Sequence, residues 1–147
     1  MKKILFSILY FSIIGTLSAQ TPSISFDHVA LSVSDVNASV TFYEAVFQLD
    51  EITNRTEKPG IRWMGLGEGK ELHLISTVEK PFQVNKAIHF ALSVKDFDGF
   101  MERLQTQKIP YWNWAETPNE ITVRADGIRQ VYVRDPDGHW IEVNSSE

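Results

Sequence analysis

The chain has 147 residues, 43% hydrophobic and 22% charged, a composition that excludes a disordered or fibrous protein and fits one folded domain. Its net charge of -5 and pI near 5.4 oppose a phosphate backbone, and no Lys/Arg cluster makes a local exception, so nucleic acid is excluded as a partner. There is no cysteine, which rules out disulfides, thiolate metal ligands and lipid attachment through a cysteine.

Met1–Ala19 has the order of a secretory signal peptide: Lys2 and Lys3, an apolar stretch from Ile4 to Leu17, then the small residues Ser18 and Ala19. The stretch is shorter than the ~20 residues of a spanning helix. Cleavage near Ala19 is therefore expected, with the product exported to the periplasm or the extracellular space and meeting membrane only through its leader. Residues 23–145 are left for the domain, with modules over about 24–78 and 86–145.

From His28 onward the sequence repeats. His28-Val-Ala-Leu-Ser-Val-Ser-Asp35 and His89-Phe-Ala-Leu-Ser-Val-Lys-Asp96 agree at six of eight positions. Each alternates in the manner of a strand, with His, Ala and Ser on one face. After the first copy, Asp35 is placed to cap a helix over Ser39–Phe47. Strands are predicted over Glu51–Thr56, Ile61–Leu66 and Glu71–Thr77, separated by Pro59-Gly60 and the turn Gly65–Gly69. Thr77–Lys86, with Lys80-Pro81, is the natural connection to the second copy.

There Asp96 or Asp98 caps a helix over Phe100–Gln107. Strands follow over Tyr111–Ala115, Ile121–Arg124 with Ile128–Arg134, and Trp140–Asn144. Asp126-Gly127 and Asp135-Pro-Asp-Gly138 supply the turns. The prediction is an α+β fold of two βαβββ modules. Neither has enough apolar surface to stand alone, so the halves must pack together.

Two of the four histidines, His28 and His89, head the repeated strands. The last strands also correspond, Leu72-His73-Leu74 with Ile141-Glu142-Val143. An ionisable side chain on the inward face of a half-buried sheet is costly unless it is paired or bound to metal. A lone strand histidine is more often hydrogen-bonded or solvent-facing, and it is the place within the repeat that shifts the balance. His28, His73, His89 and Glu142 are accordingly candidate ligands of one divalent transition metal: zinc, nickel, iron(II), cobalt or manganese, which suit imidazole better than magnesium or calcium do. Glu71 shares a face with His73 and can also contribute. His139 follows a turn and is expected to be solvated.

Arg62, Trp63, Trp112, Trp114, Arg124 and Tyr132 are candidate pocket walls, offering aromatic surface and cations for an acidic small-molecule substrate. Aromatic residues at strand spacing are otherwise most often core. Trp140 is expected to turn away from Glu142 and pack on a helix.

The segments His28-Val-Ala-Leu-Ser-Val33, Thr41-Phe-Tyr-Glu44, Leu72-His-Leu-Ile75, His89-Phe-Ala-Leu-Ser-Val94 and Arg134-Asp-Pro-Asp-Gly-His-Trp-Ile-Glu142 resemble the vicinal oxygen chelate superfamily. That group includes glyoxalase I, methylmalonyl-CoA epimerase, extradiol dioxygenases and fosfomycin- and bleomycin-resistance proteins. The resemblance implies modules packed as paired half-barrels around a metal-binding cleft, with ligands from the first and last strand of each module, here His28, His73, His89 and Glu142. Glyoxalase I usually carries a carboxylate where His73 stands. Three-ligand members use only the positions of His28, His89 and Glu142, which would leave His73 to the substrate.

The implied activity is that of a metal-dependent glyoxalase-like lyase or isomerase. It chelates a small oxygen-rich substrate and stabilises an enediolate-like intermediate, with Glu142 as general base. The alternatives are an extradiol-type iron(II) dioxygenase and a non-catalytic protein that sequesters a small molecule. Modules in this superfamily pair within one chain or across two, and a homodimer is compatible with both.

Overall fold

Asp35 and Asp96 set where the two helices begin. In the computed structural model, which describes residues 24–77 and 84–146, Asp35 is extended and its carboxylate accepts the N–H groups of Asn37 and Ala38. The first helix, α1, therefore runs Val36–Phe47, three residues ahead of the predicted start. It ends at Gln48 in a left-handed cap. The expected leader and the middle of the connection between the modules lie outside the described residues. Among those described, no helix is long and apolar enough to cross a membrane.

The first module is completed by β1 (His28–Ser32), β2 (Glu51–Ile52), β3 (Ile61–Gly67) and β4 (Lys70–Ile75) in the order β1-β4-β3-β2, with β1 and β4 parallel. The second repeats the plan with β5 (His89–Val94), α2 (Phe97–Thr106), β6 (Tyr111–Trp112), β7 (Thr122–Val123), β8 (Arg129–Arg134) and β9 (Trp140–Ser145). Its order is β5-β9-β8-β6, β7 also pairs with β8, and β5 and β9 are parallel. Among the described residues the fold is α+β, two mixed sheets with two helices.

Two predicted strands stop early for the same reason. The Asn54 side chain accepts the N–H and hydroxyl of Thr56 and donates to the carbonyls of Lys58 and Ile61, which turns the chain after Ile52. Asn113 accepts the N–H of Thr117 and ends β6 at Trp112. In both places a local side-chain bond displaces the ladder.

Met64, Leu72 and Leu74 of the first sheet and Val131, Val133, Ile141 and Val143 of the second are fully buried in a cluster with Val40, Tyr43 and Val46 of α1 and Phe100 and Leu104 of α2. The helices touch through the Phe47 and Phe100 rings at 5.7 Å, and Arg103 donates to the Val46 carbonyl at 3.1 Å. The buried Tyr43 hydroxyl donates to Asp135 at 3.1 Å. His139 is half-buried rather than solvated: its Nε2 donates to the Ser32 carbonyl at 2.7 Å and ties the turn before β9 to β1. One core thus unites the modules and commits one face of each sheet.

Candidate functional site

The pairing register decides what stands on the faces away from the helices. In the first sheet His28 is opposite Glu71, Ala30 opposite His73, and His73 opposite Trp63. In the second His89 is opposite Trp140, Ala91 opposite Glu142, Glu142 opposite Tyr132, and Tyr132 opposite Trp112. His28 therefore corresponds to His89, His73 to Glu142, Glu71 to Trp140 and Trp63 to Tyr132.

Trp140 corrects the expectation set for it. Two residues along a strand return to the same side, so it shares the face of Glu142. There its ring meets Trp112 at 5.5 Å and Tyr132 at 6.3 Å. Arg62 is one residue from Trp63 and points the other way, paired with Glu51 and donating to Asn37 of α1 at 2.6 Å. It does not join the other candidates.

In the second sheet the imidazole of His89 is oriented from behind. Its Nδ1 is 2.8 Å from the Lys86 carbonyl, which can only accept, so the proton belongs on Nδ1 and the Nε2 lone pair is left 3.1 Å from Glu142 Oε2. Two acceptors at that distance fit a cation or a proton held with them. Glu142 also accepts from the Tyr132 hydroxyl at 2.5 Å and from Asn144 at 2.7 Å. Burial pushes the Glu142 carboxyl up, but hydrogen bonds from Tyr132, Asn144 and Gln130 and the His89 ring outweigh it and hold the group below the ordinary carboxylate value. The Tyr132 hydroxyl is pushed far up, first by burial and then by its bond to Glu142.

Trp114, 52% exposed, stands edge-on to His89 at 6.2 Å. Arg124 pairs with Asp126 at 2.8 Å in the turn after β7.

The first sheet orders its histidines differently. His28 Nδ1 is bound to Asp27 at 2.7 Å, so the ring is tied back through the same nitrogen as in His89. His73 instead binds Glu71 through Nε2 at 2.8 Å, and Glu71 in turn accepts from Arg55 at 2.6 Å. The His73 ring is sandwiched between Trp63 at 4.2 Å and His28 at 4.3 Å, with interplanar angles of 7° and 14°. An imidazole directs its lone pair in the ring plane, so two stacked, nearly parallel rings do not aim at one point. His28 and His73, as stacked, are therefore not placed to bind one ion together.

Among the described residues no three His, Asp or Glu side chains converge. The four candidates stand as two pairs, His28 with His73 and His89 with Glu142, one on each sheet. Arg55 and Lys86 went unremarked in the sequence because neither occupies a repeated position.

Paired βαβββ modules with imidazole and carboxylate groups at matching strand positions define a class of small-molecule-binding fold. The chain belongs to the Glyoxalase/Bleomycin resistance protein/Dioxygenase superfamily, whose family model matches residues 25–143. Members of this superfamily bind small molecules and commonly use divalent metals.

The uncharacterized protein YwbC of Bacillus subtilis is 31% identical over 121 residues, 79% of this chain and 93% of that one. The metallothiol transferase FosB of Staphylococcus epidermidis is 26% identical over 131 residues, 82% and 81% of the two chains. Among solved structures, a glyoxalase family protein from Bacillus anthracis is 26% identical, covers 88% of this chain and 100% of its own, and superposes with a TM-score of 0.68.

Proposed function

We propose that the protein is a divalent-metal-dependent enzyme of the glyoxalase type, a lyase or isomerase, that chelates a small oxygen-rich substrate. The observation that carries this reading is the His89–Glu142 pair: an imidazole tied back through Nδ1 with Nε2 facing an ionised carboxylate at 3.1 Å. Asp27 prepares His28 in the same way. His28, His89 and Glu142 would hold the metal, and His73, stacked and bonded to Glu71, would support His28 from the side. Because the two pairs lie on separate sheets, we place their union between two copies of the chain, each supplying one pair. The name of FosB, a metallothiol transferase, agrees with metal use in a relative.

When bound, the cation would supply Lewis acidity toward the adjacent oxygens of the substrate. Glu142 would take the substrate proton, its carboxylate kept ionised by Tyr132 and Asn144. Trp63 Nε1 and Ser32 Oγ, on the first sheet's site face, are buried without a hydrogen-bond partner among the described residues. The leader read over 1–19 would place this chemistry in an exported compartment, where glutathione and CoA thioesters are scarce.

Metal content of the protein, purified without chelator or metal-binding tag, tests the reading. About one transition metal per chain is expected in the wild type and none in the His28→Ala, His89→Ala double variant. A wild type that takes up none of zinc, nickel, cobalt, manganese or iron(II) would leave sequestration of a small molecule as the better account. One observation favours a second reading. Two histidines and one carboxylate, His28, His89 and Glu142, with His73 already bonded to Glu71, also suit iron(II) oxygen chemistry, and oxygen uptake with a catechol would select it.

A further inference from the structure

The face that carries Glu142 holds more positive charge than it neutralises. Arg134 stands opposite Trp140 in the β8–β9 ladder and two residues from Tyr132, on the same face as Glu142. Its guanidinium lies 3.9 Å from the Trp140 ring centroid and 5.3 Å from that of Trp112. Its ion pair, with Glu116, is long at 3.5 Å and about half exposed on both sides. Lys86 occupies the same aromatic cluster, with its ammonium 4.5 Å from the Trp140 centroid and 4.4 Å from that of Tyr132.

Lys86 is buried, yet its amine donates to the neutral carbonyls of Asn113 and Trp114 and not to a carboxylate. Burial pushes that amine down; Glu116 acts against the shift and Arg134 adds to it. Two cations thus share one indole, with the exposed Glu116 as their counter-ion, while Glu142 is already engaged by Tyr132 and Asn144. Such a cluster is short of negative charge. A guanidinium offers a planar fork that matches the two oxygens of a carboxylate and keeps its charge at any working pH.

We infer that Arg134 determines specificity by binding the carboxylate of an acidic substrate whose body lies along Trp112 and Trp114, with Lys86 as fixed positive background. The inference rests on the proposed reading that this face is the chelating site. Two residues of strand separate Arg134 from the level of Glu142, about 7 Å, close to the span from two adjacent ring oxygens to a carboxylate across one benzene ring.

The probes are therefore catechol and 3,4-dihydroxybenzoate, titrated calorimetrically into the zinc-loaded protein. The wild type should bind the carboxylate probe about ten-fold tighter, the contribution of one charge-assisted contact. Arg134→Gln should erase that preference while zinc content and catechol affinity stay as they were. Arg134→Lys should keep part of it, and Glu116→Gln should increase it; these two variants carry the test if the first fails to fold. Catechol binding with no carboxylate preference in the wild type, or a preference that survives Arg134→Gln, overturns this inference alone. A zinc-loaded wild type that binds neither probe overturns the chelating reading and this inference with it.

Discussion

Tyr132→Phe isolates the bond that keeps Glu142 ionised. The ring is 3% exposed and its packing survives the change, so what is lost is the hydroxyl that donates to Glu142 Oε2 at 2.5 Å. A hydrogen bond to a charged group contributes about 1.5–3 kcal/mol. Glu142 keeps its bond from Asn144, so the carboxylate is not orphaned and the loss should fall near the lower end, about 1.5 kcal/mol. In metal-free protein at pH 7 this lowers the urea midpoint by about 1 M, for a slope near 1.5 kcal/mol/M.

The sign with pH follows from the direction of the shift. The folded carboxyl lies below its ordinary value of 4.5. Its stabilisation is therefore complete above that value and is lost as pH falls through the depressed folded one. The gap between wild type and variant should thus be widest at neutral pH and close in acid. Equal midpoints at pH 7, or a gap that persists unchanged below the carboxylate range, would refute the reasoning.

Asp35→Ala removes the cap of α1 and should cost about 1 kcal/mol, read as a fall of a few degrees in Tm. Gly60 and Gly67 have similar positive φ values, 78° and 84°, but a Cβ at Gly60 meets Ser76 Oγ at 3.0 Å and one at Gly67 meets nothing within 4 Å. Gly67→Ala should cost about 1 kcal/mol for its backbone alone and Gly60→Ala measurably more; equal losses by denaturation would show that the crowding relaxes freely. Chelation should lower Tm, and zinc at about a hundred times its Kd should restore about 2.7 kcal/mol. His89→Ala should abolish that response, and a zinc effect that persisted in this variant would place the metal elsewhere.

The repeated strands were legible because period-two alternation fixes which side chains share a face, and the register of Ala30 with His73 and Ala91 with Glu142 shows the two copies superposing on that rule. The capping aspartates were legible because a cap is a local device, although both helices begin three residues ahead of the apolar pattern that marked them. The lengths of the strands that became β2 and β6 were not, because Asn54 and Asn113 compete with the ladder through side-chain bonds that alternation does not register.

Trp140 was misread by parity: it was set on the face opposite Glu142, although two residues along a strand return to the same side. Its indole is covered on the site side by Lys86 and Arg134, and only the parity of the strand reveals this. Arg62 was misplaced for the same reason, since it and Trp63 are adjacent and so face opposite ways, while Arg55 approaches the site through a turn with no periodicity to read. The separation of the two donor pairs depends on how the sheets pack, which no local pattern encodes.

The difference between the two copies bears on what the site can accept. Equivalent positions hold His73 in one and Glu142 in the other, so the candidate ligands carry one negative charge in place of two. Glu71 does not make up the difference, because Arg55 is paired with it. A divalent cation among His28, His89 and Glu142 would leave about one unit of positive charge uncompensated, with Lys86 and Arg134 on the same sheet adding to the field. A neutral chelator leaves that excess in place, whereas an acidic one cancels it at both the cation and Arg134. A histidine in place of a carboxylate at position 73 and the weakly partnered guanidinium at 134 thus agree, on the proposed reading, with a substrate that brings negative charge.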